Sequence, residues 1–370
     1  MNNSELLDYL QLVQTHGVGS TLLDRLLERF GSAKAVLSAS PNDLSEVEGV
    51  GVALIRNIRS SQFREMANKT IESCQRQGVD ILLPNDSSFP RLLREIPDPP
   101  NVLFTRGQFE VRDALSVAIV GTRTASQYGR TQAERFARAL SRAGLTIVSG
   151  LARGIDAAAH QGAIEVETGG RTIAVLSSGV IEIFPPQHEQ LAEQVVQNGV
   201  LLSEMPPGTK PKKGMFPRRN RLISGMSLAT IVIEASEHSG SLITARTAGE
   251  QGRDVFALPG LVSSANARGS NRLIRDGAIL VQDPEDVIES LGPLVENVQI
   301  SPEETVMHPA ELVLNEQEKA VLQAIAAEPT AIDRVVVNSG LPISRVLSTL
   351  SVLEMRRLIR RISGQVVQRV

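Results

Sequence analysis

The stretch from Ser116 to His160 constrains the fold more than any other part of the chain. An apolar run at 117–120 ends in glycine, residues 132–143 carry apolar side chains on one helical face, and a second apolar run at 145–148 ends in Ser-Gly. Strand, helix and strand with glycine after each strand is typical of a βαβ unit and therefore of a parallel sheet. In such sheets, ligands bind in the crevice at the carboxyl ends of the strands.

Four further apolar runs extend this pattern, and each is followed by small or polar residues. They lie at 172–176, 200–202, 228–233 and 254–258. Small residues after a strand let backbone N–H groups approach an anionic ligand such as phosphate. Each glycine alone indicates only a tight turn, but several at one sheet edge favour a binding site. The N–H groups predicted to bind phosphate belong to Gly121, Thr122, Ser149, Gly150, Ser239, Gly240 and Ser241.

A basic run enters the same sheet just before the apolar run at 228–233. Residues 210–221 carry six lysines and arginines and no acid, and Pro211, Gly214 and Pro217 argue against a simple helix surface. A solvated charged face is the alternative. The phosphate-binding fingerprints G-x-G-x-x-G and G-x-x-x-x-G-K-[ST] are absent after the first strand. We therefore predict a basic loop beside phosphate-binding turns, which suits a polyanion better than a mononucleotide.

Six motifs occur in order along the chain. They are Gly121-Thr-Arg123, Ser149-Gly-Leu-Ala-Arg-Gly-Ile-Asp156, residues 216–225, residues 239–245, Ala257-Leu-Pro-Gly260 and residues 269–274. Together they closely resemble the DNA-processing protein A (DprA/Smf) family, over nearly the whole chain. The resemblance implies a bacterial, cytoplasmic homodimer with an extended Rossmann fold. It also implies a function: binding and protecting single-stranded DNA in natural transformation, and helping to load the RecA recombinase onto it.

The resemblance also implies roles for individual residues. Phe216 stands where the family has an aromatic side chain that can touch a base, and Asn220 braces the loop. Ile274 and Leu280 stand where the family dimerises, although a buried final strand and helix would use the same two residues without a partner. The side chains that supply charge to the DNA are Arg123, Lys213, Arg219 and Arg221.

We predict an α/β protein in five parts, with an extended Rossmann-like parallel sheet core between an all-α domain and a winged helix. Ten acids and one base between Gln282 and Lys319, together with Pro302 and Pro309, indicate an exposed linker before the last domain. The parts are a helical domain of SAM or helix-hairpin-helix type at 1–70, a connector at 71–110, the DNA-binding sheet domain at 111–290, the linker at 291–314 and the winged helix at 315–370.

The roles of the two terminal domains stay open. Glycine-containing turns at 16–19 and 48–51 indicate two helix-hairpin-helix units, which can present N–H groups to duplex phosphate. A domain that serves only packing is the alternative. Five arginines of the winged helix either contact phosphates or keep a small domain soluble: Arg345, Arg356, Arg357, Arg360 and Arg361.

Composition narrows the functional classes. The net charge of −3 confines any DNA site to a local patch, and the single cysteine, Cys74, fits a reducing cytoplasm. No apolar run approaches the length of a membrane span and no secretory leader is present, so we expect no contact with a membrane. Tryptophan is absent and aromatic residues make up 3%, which disfavours a surface that binds strands chiefly by base stacking.

No set of residues has the spacing of a catalytic or metal site. The five histidines lack ligand-like spacing, and the serine elbow G-x-S-x-G is absent, so we expect no enzyme and no cofactor. Asp156 is predicted to cap a helix or to hold a basic group such as Arg153. Similar Rossmann folds include phosphoribohydrolases with a P-G-G-x-G-T-x-x-E motif, which residues 238–250 do not match. Such an enzyme, or a nucleotide-sensing domain, is the alternative function.

Overall fold

The computed structural model describes residues 3–167, 169–292, 298–301, 304–306, 314, 316–326, 329–355, 358–363 and 366–369. In this part of the chain, a helical domain precedes a nine-stranded, mostly parallel sheet, and a small domain of three helices and three strands follows. The predicted fold class is therefore confirmed: an α/β protein with a Rossmann-like core, an N-terminal helical domain and a C-terminal winged helix.

Six helices form the N-terminal domain. The last of them continues past residue 70, where the sequence predicts a domain boundary, because the helix ends only at Gly78, whose φ is 61°. The helices are α1 (Asn3–Gln14), α2 (Ser20–Phe30), α3 (Ala33–Ser38), α4 (Pro41–Ser45), α5 (Val52–Ile58) and α6 (Ser61–Gln77).

The two glycine-containing turns of this domain have the same conformation. Gly17 and Gly49 have φ values of 96° and 95°, and α2 and α5 begin three residues later. Leu54 of the second unit lies beside Gly17, and Leu22 of the first lies beside Gly49. The two helix-hairpin-helix units therefore pack against each other reciprocally, which buries their leucines in one core.

The central domain alternates strands and helices. Its strands are β1 (Asp80–Leu82), β2 (Leu103–Gly107), β3 (Ser116–Val120), β4 (Thr146–Ser149), β5 (Thr172–Val175), β6 (Gly199–Ser203), β7 (Ala229–Val232), β8 (Asp254–Ala257) and β9 (Ile279–Leu280). Its helices are α7 (Arg91–Arg94), α8 (Gln127–Arg142), α9 (Ile155–Ile164), α10 (Glu189–Gln197), α11 (Met215–Gly225), α12 (Ser241–Glu250), α13 (Arg268–Arg275) and α14 (Pro284–Leu291).

The strand order is β1-β2-β6-β5-β4-β3-β7-β8-β9. The seven strands from β6 to β9 in this order are parallel, and β2 joins them antiparallel to β6, as an added strand on the sheet. From β3 the chain proceeds outward to β6 and then crosses back to β7 on the other side of β3. The loops that follow β3, β4, β5 and β7 therefore meet at one edge, which is where such sheets bind ligands.

Helix α8 illustrates how the sequence builds this core. Ser126 caps it, since its hydroxyl accepts from Gly129 N–H at 3.0 Å, and the Glu234 carboxylate in turn accepts from the Ser126 hydroxyl at 2.6 Å. Phe136 and Leu140 share the face that packs on the sheet, and both are fully buried. Each contributes about 1.5–3 kcal/mol by leaving water.

The C-terminal part begins with two short strands inside the predicted linker, β10 (Val298–Ser301) and β11 (Glu304–Val306), which pair antiparallel. The winged helix consists of α15 (Glu316–Gln323), β12 (Thr330–Ala331), α16 (Ile332–Ser339), α17 (Ile343–Met355), β13 (Ile359–Ser363) and β14 (Val366–Arg369). Its sheet has the order β12-β14-β13, one strand more than the predicted hairpin. Arg345, Arg360 and Arg361 are exposed, whereas Arg356 and Arg357 lie outside the described residues.

Within the described helices, no single one is long and apolar enough to cross a membrane. The bent pair Ile332–Ser339 and Ile343–Glu354 meets that test by length and composition only.

Candidate functional site

The carboxyl edge of the parallel sheet contains a cavity of about 260 Å³. Its walls come from the loops after β3, β4 and β5 and from α11, which lies in the crossover from β6 to β7. The cavity thus brings together four of the residues predicted from the sequence: Arg123, Gly150, Phe216 and Arg219. The other lining residues are Thr124, Ala152, Arg153, Leu176, Ser177, Phe184 and Pro185.

One wall is a stack of a cation and two aromatic rings. The Arg123 guanidinium carbon lies 4.8 Å from the centre of the Phe216 ring, and the Phe184 ring centre lies 5.9 Å from that of Phe216, with the planes tilted by 58°. Such contacts contribute about 0.5–1.5 kcal/mol each. Phe184 keeps 42% of its surface exposed, so part of this aromatic wall is accessible to a ligand.

Arg219 forms the floor of the cavity. The residue is only 6% exposed, and Nη1 donates to Val175 O at 2.7 Å. Its Nε is buried without a partner, and in the described part of the chain Nη1 is the only one of its three nitrogens with an acceptor. A Cβ on Gly150 would stand 1.7 Å from Nη1, so glycine is required where the guanidinium crosses the strand end.

Burial lowers the pKa of Arg219 to about 10, with the nearby positive charge of Arg123 adding to the effect and Asp156 opposing it. Arg219 is therefore still a cation at neutral pH. A buried cation with free donors is unfavourable unless a charged or polar partner supplies acceptors. The floor and the Arg123 wall consequently favour an anionic ligand in the cavity.

Asp156 shapes the loop above this floor. It is the second residue of α9, whose N-cap is Gly154, and its carboxylate turns back to accept from Gly150 N–H at 3.2 Å and Ala152 N–H at 3.4 Å. Burial raises the pKa of Asp156, while Arg219 and the two N–H groups oppose that rise. The predicted contact with Arg153 is absent, because Arg153 donates to Gln187 instead.

The predicted N–H groups after β3 and β4 are already bonded within the chain. Thr122 N–H donates to Glu234 O at 2.7 Å, and Gly150 N–H donates to the Asp156 carboxylate. Gly121 packs so closely on Ile155 that a Cβ would stand 2.4 Å from its Cγ1. These residues therefore shape the edge of the sheet, and direct binding of phosphate by the N–H groups of Thr122 and Gly150, which have acceptors within the chain, stays a prediction.

The serines whose N–H groups are predicted to bind phosphate also form hydrogen bonds within the chain. Ser149 Oγ donates to Ile119 O at 2.6 Å. Ser239 N–H donates to Ser236 O at 3.0 Å, and Ser241 N–H lies 3.4 Å from Ser239 Oγ. Gly240 is exposed at the start of α12, outside the cavity.

The basic run at 210–221 is half loop and half helix. Because α11 begins at Met215, the prediction of a loop is wrong for its second half. Pro217 is tolerated in the first turn, where its missing N–H would have no helical acceptor. Helical spacing then turns Arg219 inward, whereas Lys213 on the preceding loop is exposed and forms no ion pair with any described residue.

Arg221 and Asn220 lie outside the cavity. Arg221 pairs with Glu204 and with Asp98 (Nε to Oδ2, 3.3 Å), and it lines a second cavity of about 250 Å³ beside Val13 of the N-terminal domain. Asn220 Nδ2 lies 3.5 Å from Gly240 O, between α11 and the start of α12.

The two residues predicted at a dimer interface lie at the far edge of the sheet. Ile274 is half-buried on α13, and Leu280 is 47% exposed on the edge strand β9, next to Ile279 at 41%. The alternative, in which both residues are buried in the final strand and helix, does not fit, because Leu280 is exposed. The edge strand β9 also has backbone groups on its outer side that another strand could pair with.

Sequence reasoning missed Phe184 and the position of Arg153. Phe184 follows β5 in a loop that matches no motif, and its only signal was an aromatic residue beside Pro185 in a chain with few aromatics. Arg153 was considered only as a partner of Asp156, although it stands on the cavity lining.

Three family models match the chain. Residues 80–292 match DNA recombination-mediator protein A, residues 3–60 match the DprA-like N-terminal HHH domain, and residues 305–365 match the DprA winged helix domain. Protein Smf of Synechocystis sp. is 38% identical, with all of both chains covered. DNA processing protein DprA of Bacillus subtilis is 37% identical over 74% of this chain and 92% of its own.

Solved structures agree. DNA processing protein A from Streptococcus pneumoniae superposes with a TM-score of 0.60 at 33% identity, covering 76% of this chain and 96% of its own. The protein of Helicobacter pylori, whose structure is described as giving insights into a single-stranded DNA binding mode, superposes with a TM-score of 0.52 at 31% identity over 58% of this chain and 95% of its own. The chain therefore belongs to the DNA recombination-mediator protein A family.

Proposed function

We propose that the chain binds single-stranded DNA at the cavity on the carboxyl edge of its sheet. The observation that carries the proposal is Arg219, a buried cation with unfilled donors on the floor of a cavity that Arg123 also faces. Phosphate supplies the acceptors and the negative charge that this floor lacks. The Helicobacter pylori relative, described by its single-stranded DNA binding mode, supports the choice of ligand.

The aromatic wall supports a single strand over a duplex. Phe184 and Phe216 line the cavity, and only an unpaired, unstacked base can turn its face toward an aromatic ring there. Lys213, outside the cavity, and Arg153, on its lining, are exposed and would contact phosphates on either side of the bound base. Ser239, Gly240 and Ser241, at the positive end of α12, would contact the strand farther along.

Family membership supports a proposal for the cellular role. We propose that the protein acts in the cytoplasm, protects incoming single strands during natural transformation, and helps to load the RecA recombinase onto them. Its role is binding rather than catalysis. In the described residues no group of histidine, cysteine, aspartate or glutamate could hold a metal ion, and the cavity is lined by cations and aromatic rings rather than by paired carboxylates.

We also propose that two copies associate through the edge strand β9 and α13. Ile279 and Leu280 are exposed on that edge, and Ile274 lies beside them. A two-fold axis would place this patch against its copy, and two cavities on one strand would raise the effective concentration of the second contact. Changing Ile274 and Leu280 to glutamate should give a folded monomer by light scattering that binds long strands less tightly.

A competition experiment tests the proposed ligand. Fluorescence anisotropy with a labelled oligo-dT should show displacement by unlabelled single strands, weaker displacement by duplex of the same length, and none by mononucleotides at equal phosphate concentration. Displacement by a mononucleotide at lower concentration than the single strand would contradict the proposal. It would favour the nucleotide-binding alternative.

A further inference from the structure

One residue beside the cavity has a backbone conformation that is rare for L-residues. Leu151 has φ 55° and is the only residue other than glycine with positive φ in the part of the chain that the structure describes. Its neighbours Gly150, Ala152 and Arg153 line the cavity, so the conformation of Leu151 sets where they stand. A bulky residue keeps such a conformation only where surrounding groups hold it.

His160 holds the N–H group of Leu151. The imidazole is fully buried, with Nε2 at 3.3 Å from Leu151 N and Nδ1 at 2.7 Å from Thr172 Oγ1. The Thr172 hydroxyl donates its proton to Ile147 O at 2.7 Å, so its oxygen must accept from His160 Nδ1–H. This tautomer leaves Nε2 without a proton, as the acceptor that Leu151 N–H requires.

The charge state of His160 agrees with this tautomer. Burial lowers the pKa of His160 to about 3, with the neighbouring His188 and Arg219 acting in the same direction. The imidazole is therefore neutral at neutral pH, and its Nε2 lone pair is available.

His188 holds the carbonyl group of the same residue. Its Nδ1 lies 2.8 Å from Leu151 O, and because a carbonyl only accepts, Nδ1 is the donor. His188 belongs to the short 3₁₀ helix Pro186–His188, directly after the Phe184 and Pro185 wall of the cavity. Two imidazoles from different segments therefore bind both backbone polar groups of Leu151.

We infer that His160 and His188 are positioning residues for the DNA site, which fix Leu151 in its left-handed conformation and so place Gly150 on Arg219 and Arg153 at the rim. The inference rests on the proposed function. Neither imidazole lines the cavity, so both act through the loop. Thr172 is the third member of the arrangement, because its hydroxyl sets the tautomer of His160.

The test changes Thr172, which touches neither the loop nor the cavity. Thr172→Val removes the acceptor of His160 Nδ1–H and frees the imidazole to move its proton to Nε2, where it would oppose the Leu151 N–H donor. Thr172→Ser keeps both hydrogen bonds and is the matched control. We expect Thr172→Val to weaken single-strand binding about tenfold, the order of one lost hydrogen bond. Thr172→Ser should bind within about twofold of the wild type.

Hydrogen exchange measured by mass spectrometry gives a readout that needs no DNA. In Thr172→Val, exchange of the amides at 150–153 should accelerate, while the rest of the sheet keeps the wild-type rates. Wild-type exchange in this segment would overturn the inference. Faster exchange with unchanged DNA affinity would also overturn it, since the loop would then not matter for binding.

A second pair of variants covers the case in which Thr172→Val does not fold. The amide oxygen of His160→Gln can stand near the position of Nε2 and accept from Leu151 N–H, whereas the amide of His160→Asn reaches only the position of Nδ1. His160→Asn should weaken binding about tenfold and His160→Gln less than threefold. Equal losses in the two variants would refute the role of Nε2. If the wild type binds no single strand, the proposed function fails, and the exchange comparison still decides whether the imidazoles hold Leu151.

Discussion

Arg219 and Arg221 are two residues apart on α11, yet they lie in opposite electrostatic surroundings. Arg219 forms the floor of the cavity at the sheet edge, and a single carbonyl accepts from it. Arg221 is 12% exposed beside the second cavity, where Glu204, itself 9% exposed, and Asp98 neutralise it. The Nε of each arginine is buried without a hydrogen-bond acceptor, but only Arg221 forms ion pairs with described residues.

This difference indicates that one arginine serves ligand binding and the other stabilises the fold. Removing one partner from a buried ion pair leaves an uncompensated charge, so Arg221 is tied to stability. Arg219 forms no direct ion pair with a described carboxylate, although the buried Asp156 lies close enough to interact with its charge, and its unfilled donors gain acceptors when an anion enters. Sequence motifs treat the two arginines alike, whereas their contacts assign them different tasks.

Replacing each arginine with methionine should test most clearly whether the two regions serve binding and stability respectively. Arg219→Met should weaken single-strand binding about 30-fold, the loss of charged hydrogen bonds worth about 2 kcal/mol. It should lower the free energy of unfolding less than Arg221→Met does, because Asp156 keeps the N–H donors of Gly150 and Ala152. Arg221→Met should lower the free energy of unfolding by about 3 kcal/mol, because the buried Glu204 then keeps only the exposed Arg218, at 3.8 Å, while binding changes little. Urea unfolding measures the free energy of unfolding, and fluorescence anisotropy measures the affinity for single strands. A larger loss of binding in Arg221→Met and a larger loss of stability in Arg219→Met would contradict the prediction.

Low pH should lower the free energy of unfolding through His160, which lies in the region of the Arg219 cavity. Because its pKa is lowered to about 3 in the folded chain from 6.5 in the unfolded chain, unfolding takes up a proton between these values. This contribution to stability is complete above pH 6.5 and is lost as the pH falls, by up to about 1.4 kcal/mol per pH unit. Urea unfolding of the wild type and of His160→Gln between pH 7 and 5 should give a shallower pH dependence for the variant. Parallel curves would contradict the prediction.

The exposed cations should have smaller effects. Arg123→Ala and Lys213→Ala should each weaken single-strand binding about threefold to tenfold and flatten the salt dependence by roughly 0.7 log units per decade. Arg246→Ala is the control, since Arg246 is an exposed arginine of α12 paired with Glu250. Titrations at several salt concentrations give the slopes, and an unchanged slope in both variants would remove these two residues from the site.

Removing the winged helix should have the smallest effect. A chain that ends before residue 315 keeps both arginine regions, so its affinity for single strands should stay within about threefold of the full chain, the scale of one or two phosphate contacts. Binding of duplex DNA, which the wing's arginines could assist, is the useful second measurement. Loss of single-strand binding would move the main site out of the central domain.

The order of strands and helices could be predicted because apolar periodicity and glycine are local signals. The resemblance to the family pointed to Arg123, Phe216 and Arg219, which the structure brings to one cavity. The fate of the predicted N–H groups could not be predicted, since their acceptors come from distant segments: Glu234 O takes the N–H of Thr122. Whether an arginine is paired depends in the same way on a carboxylate such as Glu204, at the end of another strand.

The hydrogen bonds that Ser126 donates to Glu234 have a consequence for the stage of folding at which the site forms. These two residues are 108 positions apart in the chain, and the bond from Arg219 to Val175 O spans 44. Contacts at such separations close large loops and form late, after local helices. A nascent chain that has completed only β3 to β5 therefore lacks both Arg219, the floor of the cavity, and Glu234, the acceptor for Ser126. Ligand affinity is then a sensitive report of whether α11 and β7 have joined the sheet.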